Sequence, residues 1–128
     1  MRTVFVLFIA LFILTGCTEV QERSLVRSTG VTALEILDRD PAADIFQLDG
    51  VVYGNASEID WVRQKTLTAG KKVGIVEQLY QAGQPFEDRT ATRLPVGAEI
   101  FEPAEDAGHI LIVKVEGKEI RYLGLIEG

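Results

Sequence analysis

The stretch Ile110-Leu111-Ile112-Val113-Lys114-Val115-Glu116-Gly117-Lys118-Glu119-Ile120-Arg121-Tyr122 decides how the rest of the chain is read. Two runs rich in β-branched and apolar residues, Ile110 to Val115 and Lys118 to Ile126, flank Glu116-Gly117. Such a pattern predicts a hairpin closed by a two-residue turn. The two-residue period puts Leu111, Val113, Val115, Ile120 and Tyr122 on one face, and Lys114, Glu119 and Arg121 on the other. A turn at Glu116-Gly117 sets Lys114 opposite Glu119. A turn at Gly117-Lys118 would set Glu116 opposite Glu119 and Lys114 opposite Arg121. Opposite charges across strands are favourable and like charges costly, so the first register is preferred.

Upstream, Leu94-Pro95-Val96-Gly97 reads as a turn feeding a strand from Ala98 to Glu102, and Glu102 to Gly108 as a loop. Gln81 to Thr92 reads as a longer loop. Thr68 to Lys71 reads as a turn before a strand from about Lys72 to Tyr80. In that strand Val73, Ile75 and Leu79 share a face with Glu77, which makes Glu77 a candidate inward acid. The plainer reading is an acid at the rim of a small sheet. Ser57 is read as the N-cap of a short helix to Gln64, with Glu58 and Asp60 in its first turn. Ile59, Val62 and Trp61 are candidates for its buried side. Ile45 to Leu48, Asp49-Gly50 and Val51 to Tyr53 read as strand, tight turn or bulge, strand. Val31 to Leu37 fits a short strand or a short helix, stopped by Pro41. The expected fold class is α+β: a mainly antiparallel sheet or small open barrel of about five or six strands with one short helix.

The other informative stretch is Leu14-Thr15-Gly16-Cys17, which ends an apolar run that starts at Val4 and follows Arg2. The run is shorter than the roughly 20 residues needed to cross a bilayer, and it suits the core of a signal peptide. This stretch resembles the lipobox of bacterial lipoproteins. The resemblance implies that Leu14, Thr15 and Gly16 are recognised by a signal peptidase that cuts after Gly16. It implies that the Cys17 thiol carries a diacylglyceryl group and that the new amino group is a further acylation site. Two chains hold a protein durably where one binds reversibly, at about 0.8 kcal/mol per buried methylene. The expected division is residues 1–16 signal peptide, 17–43 lipidated cysteine and tether, and 44–128 a small β-rich extracytoplasmic domain. Thr18 to Thr29, polar and without periodicity, is the tether proper. Its expected reach is about 20 Å.

Loss of residues 1–16 removes one Arg and no acid, so the net charge of −6 becomes −7. An acidic exterior argues against nucleic acid as a partner and against direct electrostatic adhesion to anionic lipid. The domain also resembles small uncharacterised lipoproteins of Gram-positive bacteria. The likeness rests on Asp44-Ile45-Phe46, Gly50-Val51-Val52-Tyr53, Ile59-Asp60-Trp61-Val62, Ala91 to Gly97 with Ile100-Phe101, and Tyr122-Leu123 with Glu127-Gly128. It implies an autonomous domain outside the cytoplasm, and no mechanism.

Candidate chemistry is sparse. Ser57 and His109 are the only Ser and His beyond the tether, and no nucleophile-elbow motif surrounds Ser57. Asp38, Asp40 and Asp44, or Glu99, Glu102, Glu105 and Asp106, offer oxygens for calcium without the EF-hand pattern. No catalytic residue, resident metal or cofactor is assigned. Phe86, between Pro85 and Glu87 in a loop, is the candidate partner-contact residue. The leading expectation is a non-enzymatic binding module, lipid-anchored on the extracytoplasmic face of the cell membrane, with an envelope protein or a cationic peptide as partner. A small envelope hydrolase or a calcium-binding envelope domain are the alternatives.

Overall fold

The computed structural model describes residues 31–126. In chain order the elements are α1 (Ala33–Arg39), β1 (Ile45–Leu48), β2 (Val51–Asn55), α2 (Asp60–Arg63) and β3 (Ala69–Ile75). They continue as β4 (Gln78–Leu79), β5 (Thr90–Ala91), β6 (Glu99–Pro103), β7 (Ile110–Val115) and β8 (Lys118–Gly124). The strands form one sheet in the order β3-β6-β7-β8-β2-β1-β5-β4, and every pair is antiparallel except β4 with β5. Only Val76 and Glu77 separate β3 from β4, yet these strands stand at opposite ends of the order. One run of chain therefore contributes to both ends of the sheet, which curls into a half-barrel. The fold is mostly sheet, with eight strands and two short helices among the described residues where about five or six strands and one helix were expected.

Both expected tight turns are present. Asp49 and Gly50 have φ of 50° and 80°, and Glu116 and Gly117 have 53° and 79°. Left-handed values at both central positions match the right-handed twist of hairpin strands. Lys114 stands opposite Glu119, with Nζ 3.8 Å from the carboxylate, as charge pairing predicts. Both side chains are about half exposed, so the pair selects register more than it stabilises.

The sheet's concave face holds the main core, in which Phe46, Leu48, Val76, Ile100, Leu111, Val113 and Tyr122 pack together. The convex face is covered by the two helices. Ala33 of α1 packs with Ile45 and Val52, and Val62 of α2 with Ala56 and Ile110. Strand β7 is buried on both sides: Leu111 and Val113 lie in the main core, Ile110 packs with α2, and Ile112 on the same side as Ile110 is fully buried too.

The Val31–Leu37 ambiguity resolves as helix. Thr32 Oγ1 accepts from the Glu35 N–H, and the Glu35 carboxylate accepts from the Thr32 N–H. This reciprocal capping box stabilises a helix too short to persist alone. The packed structure thus begins ahead of Asp44, within the 17–43 segment. Thr32→Ala is expected to cost about 1 kcal/mol, read as a lower urea midpoint at unchanged slope.

Four expectations fail locally. The 68–71 turn is the start of β3, and the 81–92 loop contains β5. Helix α2 begins at Asp60, because Ser57 is held in a turn by Asn55, whose Oδ1 accepts from the Ser57 N–H. Trp61 is 53% exposed, since Val62 and Leu67 fill the contact with the sheet. The C-terminal carbonyls of α2 find a partner in Arg121, whose guanidinium donates to Val62 O and Lys65 O at 2.7 Å each. A cation there also suits the helix dipole.

Candidate functional site

The curled sheet leaves a cleft of about 200 Å³ beside the Glu116-Gly117 turn. Its apolar wall comes from Leu94 and Pro95 on the loop into β6, Val115 at the end of β7, and Ile120 on β8. Asp44 and Tyr122 also line it, with Arg93, Glu116 and Lys118 supplying the remaining charge. Clefts at barrel mouths, apolar with a few fixed polar groups, are common ligand sites.

The polar part of the cleft is built across the sheet. Tyr122 is fully buried, and its hydroxyl donates to Asp44 Oδ1 at 2.8 Å. Asn55 Nδ2 donates to Asp44 Oδ2 at 2.8 Å, and the Asn55 N–H donates to the Asp44 carbonyl. The inward parity of β8 brings Tyr122 here, while the β1–β2 pairing brings Asp44 and Asn55 together. Burial, then the hydrogen bond and negative charge of Asp44, hold the Tyr122 hydroxyl far above the ordinary tyrosine pKa. Each Asp44 oxygen accepts one of these side-chain bonds and has further acceptor capacity. The cleft can thus receive an N–H or ammonium donor at Asp44 while a short apolar segment lies on Leu94, Val115 and Ile120.

A second cleft, of about 270 Å³, is lined by Tyr53, Glu102, Glu105, Asp106 and His109. Burial first, then the charges of Asp49 and Glu102, raise the Tyr53 pKa. Glu105 is lowered by hydrogen bonds from the Thr68 N–H and hydroxyl, at 2.8 and 2.9 Å, so it is committed to fastening that loop. Ser57 lines a third cleft with Arg63 and Arg121, apart from the one lined by His109.

The sequence-predicted residues fall in different places. Leu14, Thr15, Gly16 and Cys17 lie outside the described residues. Glu77 is not inward: it is exposed, with its carboxylate 3.7 Å from Arg89. Register shifts in the β3–β6 pairing between Ala69 and Gly74 reset the alternation, so Val76 is buried and Leu79 is 47% exposed. Phe86 is not a free loop side chain. It is half-buried against the α1 cluster, its ring 5.1 Å from that of Tyr80. Asp40 bonds the Ala42 N–H and Glu99 pairs with Lys72. Among the described residues no three His, Cys, Asp or Glu side chains converge as a metal site.

Sequence reasoning missed Asn55 and Asp88, and offered Asp44 as a calcium ligand and not as the partner of Tyr122. Asp88 accepts from the Gly50 N–H and from Gln47 Nε2, fastening the β1–β2 turn. Burial pushes its carboxyl up, but these bonds outweigh it and the pKa is lowered. Only the inward parity of Tyr122 was visible beforehand. No family model, curated protein or solved structure matches the chain.

Proposed function

We propose that this protein is a lipid-anchored binding module on the extracytoplasmic face of the cell membrane, acting without catalysis on an envelope protein or cationic peptide. The observation that carries this reading is Leu14-Thr15-Gly16-Cys17 at the end of its apolar run. A thiolate nucleophile accepts the lipid, and the small residues before it suit a peptidase. The apolar cleft with an acceptor at Asp44 supports the binding role, because a donor on the partner would meet a carboxylate already oriented by Tyr122 and Asn55. The Val4 to Leu14 run is shorter than the roughly 20 residues a spanning helix needs, so lipid on Cys17 is the proposed means of attachment.

The test has two parts. The wild-type chain should incorporate a palmitate analogue and fractionate with membranes, and Cys17→Ala should abolish both. A photoreactive residue at Val96, which is 61% exposed and next to Pro95 of the cleft wall, should then capture one envelope protein or cationic peptide. Labelling of Cys17→Ala as strongly as wild type would overturn the anchor. Absence of any specific adduct at Val96 and at other exposed cleft positions would overturn the partner.

A further inference from the structure

We infer that the helical side of the domain rests on the membrane that holds its lipid, with Trp61 and Leu34 entering the headgroup layer; this rests on the anchor proposed above. Helices α1 and α2 cover the same convex face. Val52 of β2 packs with α1 and Ala56, just beyond β2, with α2, and after Tyr122 the residues Leu125 and Leu123 divide in the same way. The outer sides of both helices carry a large apolar residue open to solvent, Leu34 at 50% and Trp61 at 53% exposure. Neither has a place in the core.

The chemistry at Trp61 suits a headgroup layer. Its indole is amphipathic, and Lys65 Nζ lies 6.0 Å from the ring centroid. Tryptophan concentrates at membrane–water interfaces, and lysine can lay its stem on apolar surface with the ammonium among phosphates. Asp60, the acid of this helix, is paired with Arg63 at 2.6 Å. Glu58 precedes the helix and is the nearest acid in the chain outside that pair. Around α2, Glu58 and Asp60 are balanced by Arg63 and Lys65, while the exposed Glu35, Asp38 and Asp40 of α1 and its cap outnumber Arg39, so the contact is carried by Trp61 and Leu34 and not by charge.

Chain entry selects the same side. The segment that leads from Cys17 joins the domain immediately before α1, at Val31 and Thr32. If the polar segment 18–29 acts as the tether its sequence suggests, with a reach of about 20 Å, it would hold the domain at an effective concentration of about millimolar near the bilayer. A contact too weak to recruit a free protein is then enough to orient a tethered one.

Trp61 is the single tryptophan of the chain and so reports on itself. The full lipidated protein is reconstituted into phosphatidylcholine–phosphatidylglycerol vesicles, with or without bromine on the upper acyl carbons, and floated on a density gradient. The expected result is co-flotation, a blue-shifted Trp61 emission and its quenching by the brominated lipid. Leu34→Glu should reduce that quenching with an unchanged circular-dichroism spectrum. Co-flotation with solvent-like, unquenched emission would overturn the orientation and leave the anchor standing. Failure to co-float would overturn both. A blue shift that grows with protein concentration but resists brominated lipid would assign the face to a second copy of the chain and overturn the membrane contact.

Discussion

Phe46→Ala should destabilise the domain by about 3–5 kcal/mol, enough to remove most of its folded population at moderate urea. Phe46 is fully buried at the centre of the concave core. Its ring stacks on Tyr53 at a centroid distance of 5.3 Å and meets Tyr122 edge-on at 5.0 Å. Both are favoured aromatic geometries, which add to the area the ring buries. Phe46 also sits where β1 pairs with β2 on one side and β5 on the other. Collapse around a truncated side chain would have to move three strands at once. The check is a urea titration followed by far-ultraviolet circular dichroism and by tyrosine fluorescence. A loss under about 1 kcal/mol would mean that the aromatic cluster closes over the cavity.

Asp44→Ala should cost about 1.5–3 kcal/mol, because the buried Tyr122 hydroxyl loses its acceptor. Tyr122→Phe in the Asp44→Ala background should recover part of that loss, since an apolar ring no longer needs the partner. The double-mutant cycle over Asp44 and Tyr122 measures the coupling, and strict additivity would refute the network. The same pair sets an alkaline limit. The folded-state pKa of Tyr122 lies above its unfolded value of about 10, so its contribution is full below pH 10 and declines as pH rises further. Tyr53, raised mainly by burial, acts in the same direction. Tyr122→Phe should therefore flatten the alkaline limb of the stability profile without abolishing it.

These predictions depend on contacts that were unevenly legible beforehand. Asp49-Gly50 and Glu116-Gly117 could be located because a two-residue hairpin turn needs positive φ at both positions, and the flanking periods agree. The Lys114–Glu119 register followed from charge alone. Thr32 and Glu35 carried the capping-box spacing that decides Val31–Leu37 in favour of helix, although the run itself suits either state. Glu77 could not be placed by counting, because a bulge shifts every later residue to the other face. The position of Phe86 depends on its contact with Tyr80 and on a helix far away in sequence.

The sequence by itself determined what is local: the tight turns, the inward parity of Tyr122, the acidic balance, and the residue pattern from which an anchor is proposed. Each depends on neighbouring residues, whose backbone preferences and spacing are written in order along the chain. The tertiary structure alone decided the two-residue β4–β5 pairing, the exposure of Trp61 and Glu77, and the meeting of Asp44, Asn55 and Tyr122. Those outcomes come from closing the sheet. Closure brings together groups distant in sequence, and the competition for a limited core volume leaves some apolar residues outside.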